Sequence, residues 1–263
     1  MPAVDENTIA FAHKLADAAG AVIRPYFRRR IDVADKAAGA AFDPVTAADR
    51  EAEQAMRELI ERECPNDGIL GEEFGEKPSC NRRRWVLDPL DGTRAFITGR
   101  HEWGTLIALE ENRKPVLGVI DQPVLRERLI GANGHAHMLA EGEDLRLQVR
   151  PCADLSEAIL CATHPTAYFT AQEREAFTRV EAGVRMTRFG GDCYLFVALA
   201  LGYVDLIVES AFKQWDAAAL IPVIEGAGGV ISNWQGGSCA TGGQILAAGD
   251  ARVHKAAMEL LAG

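Results

Sequence analysis

The sequence predicts a mixed chain, α+β in its first half and α/β in its second, and three observations predict it. An opening helical segment is followed by strand-like runs in succession, which gives an antiparallel or mixed sheet with helices packed to one side. After Pro151 strands and helices alternate, which gives a more parallel sheet. The chain has 263 residues, 48% of them apolar and 25% charged, enough to bury a substantial core as one large domain or two smaller ones.

Residues 6–30 read as a long amphipathic helix, with Ile9, Ala12, Leu15, Ala19, Val22 and Ile23 recurring at helical spacing. A second helix begins near Thr46, where Thr46-x-x-Asp49 has the form of a capping box. Strand-like runs follow at 67–71, 84–88, 103–110, 115–121 and 127–132. Then come strand 158–163, helix 171–181, strand 184–188, helix 192–201, strand 203–209, helix 216–226, strands 229–233 and 245–248, and helix 250–262. A domain boundary is expected near 148–153, dividing residues 1–150 from 151–263, with the functional site between the halves. No repeat or low-complexity segment interrupts this order.

The net charge of −10 counts against nucleic acid as a partner. Arg28-Arg29-Arg30 and Arg82-Arg83-Arg84 read as solvated element ends rather than binding patches. No signal peptide or long apolar span is visible, so the expected location is the cytoplasm, with no membrane partner. The cysteines at 64, 80, 152, 161, 193 and 239 form no C-x-x-C pair and read as reduced thiols. His135 and His137, close together on a strand, read as surface residues rather than a zinc site.

The chemistry concentrates in Trp85-Val86-Leu87-Asp88-Pro89-Leu90-Asp91-Gly92-Thr93. A short buried strand breaks at Pro89 and Gly92, so two carboxylates leave its end three residues apart with a glycine and a hydroxyl behind them. Hard divalent cations take such oxygen ligands, and the following main-chain N–H groups suit an anion. An ordinary β-turn uses the same residues, and alone the run does not decide. Gly68-Ile69-Leu70-Gly71-Glu72-Glu73 is a second apolar run ending in acids. Strand alternation lets at most one of Glu72 and Glu73 face a shared site. Trp215-Asp216 opens a third segment, where Asp216 reads either as a ligand or as a helix N-terminal acid.

Asp43-Pro44-Val45-Thr46-x-x-Asp49, Gly71-Glu72-Glu73, Asp88 to Thr93 and Trp215-Asp216 together resemble, in order and spacing, the signature of the inositol monophosphatase family. The resemblance runs from Lys36 to about Gly229. It implies a layered α-β-α-β-α sandwich of the inositol monophosphatase and fructose-1,6-bisphosphatase type. It also implies a Mg²⁺-dependent, lithium-sensitive phosphomonoesterase, commonly a homodimer, acting on a small molecule. Four carboxylates in one pocket repel, and two or three Mg²⁺ resolve this. By the family pattern Glu72, Asp88 and the Leu90 carbonyl hold one ion, and Asp88, Asp91 and Asp216 a second. The phosphate then rests on the ions and on the N–H groups around Asp91, Gly92 and Thr93. Hydrolysis is direct in-line attack by metal-activated water, with no phospho-enzyme. Asp49 accepts from Thr93, whose hydroxyl orients the water with Glu72; helix capping by Asp49 is a compatible second reading.

Asp91 to Gly99, Trp103 to Leu109, Ile120 to Arg128 and Phe189 to Tyr194 look like the histidinol-phosphate phosphatase branch of that family. On this resemblance the substrate is L-histidinol phosphate, and Asp192 or Glu209 pairs with its amino group beside Asp216. Asp192 equally reads as the N-cap of helix 192–201. Arg94, Arg188 and Lys213 are candidates for phosphate contact or plain surface charges. Trp103 and Trp215 either flank an imidazole or anchor the core, the core reading holding for at least one. Inositol monophosphate, a nucleotide 3′-phosphate, and a catalytically silent metal-binding scaffold are the alternatives.

Overall fold

Asp5 opens the first helix, α1 (Glu6–Ile23), by accepting the Thr8 N–H at 2.7 Å. The helix ends at Ile23 instead of running to residue 30. Pro25 brings no N–H to the ladder, and the chain tightens into a 3₁₀ turn at Arg24–Tyr26. The computed structural model describes residues 3–35 and 44–263; Lys36 and Asp43, at the leading edge of the family-like pattern, lie outside them. Two short strands, β1 (Ala34–Asp35) and β2 (Pro44–Val45), pair antiparallel. The expected capping box then starts α2 (Ala47–Glu63): the Thr46 N–H donates to Asp49 Oδ2 at 2.8 Å, and Thr46 Oγ1 accepts from the Ala48 N–H at 3.2 Å.

The first sheet is built from β3 (Gly68–Gly71), β4 (Gly75–Lys77), β5 (Arg83–Asp91), β6 (Gly104–Glu111), β7 (Lys114–Gln122), β8 (Glu127–Ala132), β9 (His135–Ala140) and β10 (Glu143–Arg146). A short helix, α3 (Thr93–Ile97), separates β5 from β6. The spatial order is β10-β9-β8-β7-β6-β5-β3-β4, parallel at β3/β5 and antiparallel elsewhere. Strand β5 does not break at Pro89. Its parallel partner β3 pairs only as far as Leu87, so the missing N–H of Pro89 leaves no ladder position empty. Pairing with β6 shifts register after Asp88 and resumes at Asp91 opposite Gly104. The true break is Gly92.

Arg84 corrects the expectation of a solvated basic cluster. It is buried, 2.7 Å from the buried Glu110 and 3.1 Å from Glu76. A β5 position facing inward decides its environment, and the carboxylates make that burial possible. His135 is exposed at the start of β9, and His137 Nδ1 lies 2.9 Å from Asp144 Oδ1.

The second half contains β11 (Ile159–Ala162), α4 (Pro165–Tyr168), α5 (Ala171–Glu181), β12 (Met186–Phe189), α6 (Tyr194–Ala200), β13 (Leu206–Phe212), α7 (Gln214–Ala218), α8 (Leu220–Gly226), β14 (Val230–Ser232), β15 (Gly243–Ala248) and α9 (Ala251–Ala262). The sheet order is β12-β11-β13-β15-β14, with β11 parallel to both its neighbours and the rest antiparallel. The single helix expected at 216–226 is two, α7 and α8, parted at Ala219. Pro222 cannot donate to the carbonyl of Ala218, which interrupts the ladder there. Helix α6 starts at Tyr194, because Asp192 has φ 45°, outside the helical region. Asp192 is therefore not its N-cap; Cys193 is, without a capping side chain.

Three apolar cores stack these elements into five layers. Leu15 and Ala19 of α1 and Met56 and Ile60 of α2 pack on Trp85, Leu87, Ile107 and Val119 of the first sheet. The opposite face of that sheet, with Val86, Leu106 and Ile120, meets Phe196 of α6, Ala217 of α7 and Val223 of α8, which also cover Ile207 and Ile245 of the second sheet. Phe177 of α5 and Val253 and Ala257 of α9 close the outer face over Leu160, Leu206 and Leu246. The result is the α-β-α-β-α sandwich. Helices cover both faces of the first sheet rather than one, because the second half of the chain supplies the middle layer. All six cysteines are unpaired. No helix among the described residues is long and apolar enough to cross a membrane.

Candidate metal centre and its cavity

Alternation along β5 aims the first acid. Trp85 and Leu87 face α1 and α2, Val86 faces the middle layer, and Asp88, two residues on, shares that direction. Asp88 is buried and accepts from the Leu90 N–H at 3.0 Å. Past the register shift, Asp91 accepts the Cys193 N–H at 2.7 Å, a hydrogen bond from the second half of the chain. Gly92 turns the chain into α3 with φ +85°, and a Cβ there would fall 2.8 Å from the Glu102 carbonyl and 3.1 Å from Asp192 Cβ. No other residue fits that turn without strain.

Asp216 arrives on α7, where it also accepts the Lys213 N–H at 2.6 Å. Helix-start acid and site acid are thus one residue in two roles. Ligand oxygens of Asp88, Asp91 and Asp216 all lie within 4.8 Å of one another, the one such set of three or more among the described residues. Glu72 is not in that set but lines the same cavity, of about 280 Å³, together with Leu90, Gly92 and Thr93. Glu73 turns away, 3.9 Å from Arg50; both acids sit in the turn after β3, not on the strand.

Burial pushes the Asp88 carboxyl well above the usual range, and Glu72, Asp91 and Asp216 add to the rise. Burial does the same to Asp216, with Asp91 the next cause, and raises Asp91 despite its bonds from Cys193. Carboxylates held this close and partly withdrawn from solvent cannot all ionise unless positive charge joins them. The donors are hard oxygens with no histidine or thiolate among them, which suits Mg²⁺ rather than zinc. The residues present therefore fit the metal that the sequence implies.

Asp49 is buried beside the cluster, with Oδ2 on the Thr46 cap and Oδ1 3.4 Å from Thr93 Oγ1. The capping reading of Asp49 is observed, and the same carboxylate reaches toward Thr93. The Leu90 carbonyl is the nearer acceptor for the one Thr93 hydroxyl proton, at 3.1 Å, and that carbonyl oxygen keeps a second lone pair.

The second half supplies the opposite wall. Glu209 is buried on β13, where Oε1 accepts the Thr163 N–H at 2.5 Å while Oε2 has no hydrogen-bond partner among the described residues. Burial pushes its carboxyl up to about 8. Asp192 lines the same cavity and is pushed up to about 7, again by burial and then by Asp91. Arg94 lines the wall and donates to the Tyr168 hydroxyl at 2.6 Å, and Lys213 and Trp215 complete it. Arg188 is exposed on β12 and does not line this cavity. Trp103 is fully buried against Phe27 and Phe96 and is a core residue. The cavity also takes in Thr163, Tyr168 and Ser210, which sequence reasoning missed. Thr163 acts through its main chain and so leaves no side-chain signal, and Tyr168 sits on a four-residue helix without a motif.

A layered sandwich with buried carboxylates converging on a cavity defines the class of metal-dependent phosphatases. The inositol monophosphatase family model matches residues 5–263, and the chain belongs to that family. It is 45% identical to the bifunctional phosphatase IMPL2, chloroplastic, of Arabidopsis thaliana, over 96% of this chain and 74% of that protein. It is 35% identical to the histidinol-phosphatase of Chlorobaculum parvum, over 87% of this chain and 86% of that protein. The solved structure of an inositol monophosphatase from Zymomonas mobilis superposes with a TM-score of 0.87 at 43% identity, covering 98% of both chains.

Proposed function

We propose that this protein is a Mg²⁺-dependent phosphomonoesterase that hydrolyses L-histidinol phosphate to L-histidinol and phosphate, a step of histidine biosynthesis. The observation that carries the substrate is the buried Glu209 Oε2, unpartnered among the described residues in the wall of the cavity that holds the carboxylate cluster, which Asp192 also lines. An acceptor of this kind calls for a cationic partner, and the amino group of histidinol phosphate supplies one where inositol phosphate has none. Similarity to histidinol-phosphatases at 32–36% identity supports the same reading.

In this reading Asp88, Asp91, Asp216, Glu72 and the Leu90 carbonyl hold two to three Mg²⁺. When bound, the ions neutralise the carboxylates and the substrate phosphate and make water a stronger nucleophile. The N–H groups at Asp91, Gly92 and Thr93 receive phosphate oxygens. Asp49 orients the Thr93 hydroxyl, which with Glu72 aligns the attacking water opposite the leaving alkoxide. Water attacks phosphorus, the P–O bond to histidinol breaks, and no phospho-enzyme forms. Cys193 offers no nucleophile: it is buried behind Asp91 and burial pushes its thiol well up. Arg94 and Lys213 add positive charge at the cavity wall, whereas Arg188 is left out of the substrate site. Residues 1–150 carry most of the ligands and 151–263 carry Asp216 and the specificity acids, and the working form is a cytoplasmic homodimer.

The test in cells is complementation. Expression should restore growth without histidine to bacteria that lack their own histidinol-phosphate phosphatase. Failure to do so by folded, expressed protein that still releases phosphate from other esters would refute the substrate.

A further inference from the structure

We propose that Glu53 is a positioning residue for Glu72, acting through the main chain of the turn that follows it; the inference rests on the reading of Glu72 as a metal ligand. Glu53 is fully buried on α2, on a face that also buries Ala48, Ala52, Met56 and Ile60 along with Asp49 and Arg57. Its carboxylate accepts the Glu73 N–H at 2.7 Å, the Phe74 N–H at 3.2 Å and Arg57 Nε at 2.7 Å. Arg57 in turn donates to the Gly75 carbonyl. One ion pair thus grips three successive residues, Glu73 and Phe74 of the turn and Gly75 at the start of β4.

On its other side Glu72 is tied to β5, its N–H donating to the Leu87 carbonyl at 3.2 Å. Glu72 therefore sits between two fixed points: the strand that carries Asp88, and the carboxylate of α2. Gly71 records how closely the clamp fits. A Cβ there would fall 1.9 Å from Glu53 Oε1, so the carboxylate fills the space of the missing side chain. A buried ion pair adds little stability over apolar packing of the same size. Its presence at this one turn is explained by the main-chain groups it holds, and groups that orient a ligand tune metal affinity.

The experiment measures Mn²⁺ binding by electron paramagnetic resonance to the folded wild-type chain, Glu53→Gln, Glu72→Gln and the double variant, with circular dichroism confirming the fold. Glu53→Gln should weaken Mn²⁺ roughly 10- to 100-fold. On the Glu72→Gln background it should add less than about twofold, since both changes act on one ligand. If Glu72→Gln weakens Mn²⁺ and folded Glu53→Gln does not, the positioning role is wrong and the site reading stands. If Glu72→Gln binds like wild type, the site reading fails and takes the inference with it. Should Glu53→Gln not fold, Glu53→Asp replaces it with the same outcomes: it keeps the charge for Arg57 but draws the carboxylate back by one methylene.

Discussion

The main-chain N–H of Cys193 donates to Asp91 Oδ2 at 2.7 Å, so an acid at the end of the first sheet is held by the residue that opens α6. Asparagine at 91 keeps an oxygen for that N–H and loses only the charge. Asp91→Asn should therefore retain its circular dichroism spectrum and melting temperature while phosphate release falls by about a thousandfold or more. Near-normal turnover would remove Asp91 from the metal site.

In the proposed reading, Glu209 belongs to substrate binding and not to metal binding. Glu209→Gln removes the charge opposite the substrate's ammonium, an interaction of about 1.5–3 kcal/mol, so KM for L-histidinol phosphate should rise roughly 10- to 100-fold. Steady-state kinetics on an amine-free phosphomonoester of similar size should show little change. An equal loss on both substrates would mean that Glu209 serves the fold or the metals instead.

Metal binding should release protons. A carboxyl raised in the fold holds a proton that the unfolded chain has already lost, so its stabilisation is present at low pH and disappears as pH rises through the raised value. Asp192 at about 7 and Glu209 at about 8 extend that window from the ordinary carboxylate range to slightly above neutrality. The metal-free chain should accordingly lose melting temperature between about pH 5 and pH 8, and Mg²⁺ should restore more of it at the upper end. Calorimetry in buffers of different ionisation heat reads the released protons directly. A buffer-independent heat of binding would contradict the account.

Gly92 carries the turn that presents the Thr93 N–H. Gly92→Ala places a methyl 2.8 Å from the Glu102 carbonyl at a left-handed φ, a backbone strain of about 1–3 kcal/mol. Chemical denaturation should show that loss, and kcat should drop at least about tenfold because the phosphate-facing amides move. Unchanged kcat in a destabilised variant would place the phosphate elsewhere.

Much of the site was legible because strand alternation and short-range motifs are local. The Thr46/Asp49 capping box appears where the residues put it, and Glu72 and Glu73 do point apart, although in the turn after β3 rather than on a strand. What stayed hidden depends on distant partners. Arg84 reads as one of three exposed arginines until Glu110, from the neighbouring strand, is brought to 2.7 Å. Asp192 reads equally as a helix cap or as a substrate partner until its φ of 45° excludes the cap and it is seen to line the cavity. The strand through Pro89 was missed for the same reason: only the sheet order reveals that no partner needs that N–H.

The substrate is decided by kcat/KM for phosphate release with Mg²⁺. L-histidinol phosphate should exceed inositol 1-phosphate and a nucleotide 3′-phosphate by at least about a hundredfold, as a buried acid built for an amine requires. Inositol 1-phosphate turned over as well as or better than L-histidinol phosphate would contradict the account.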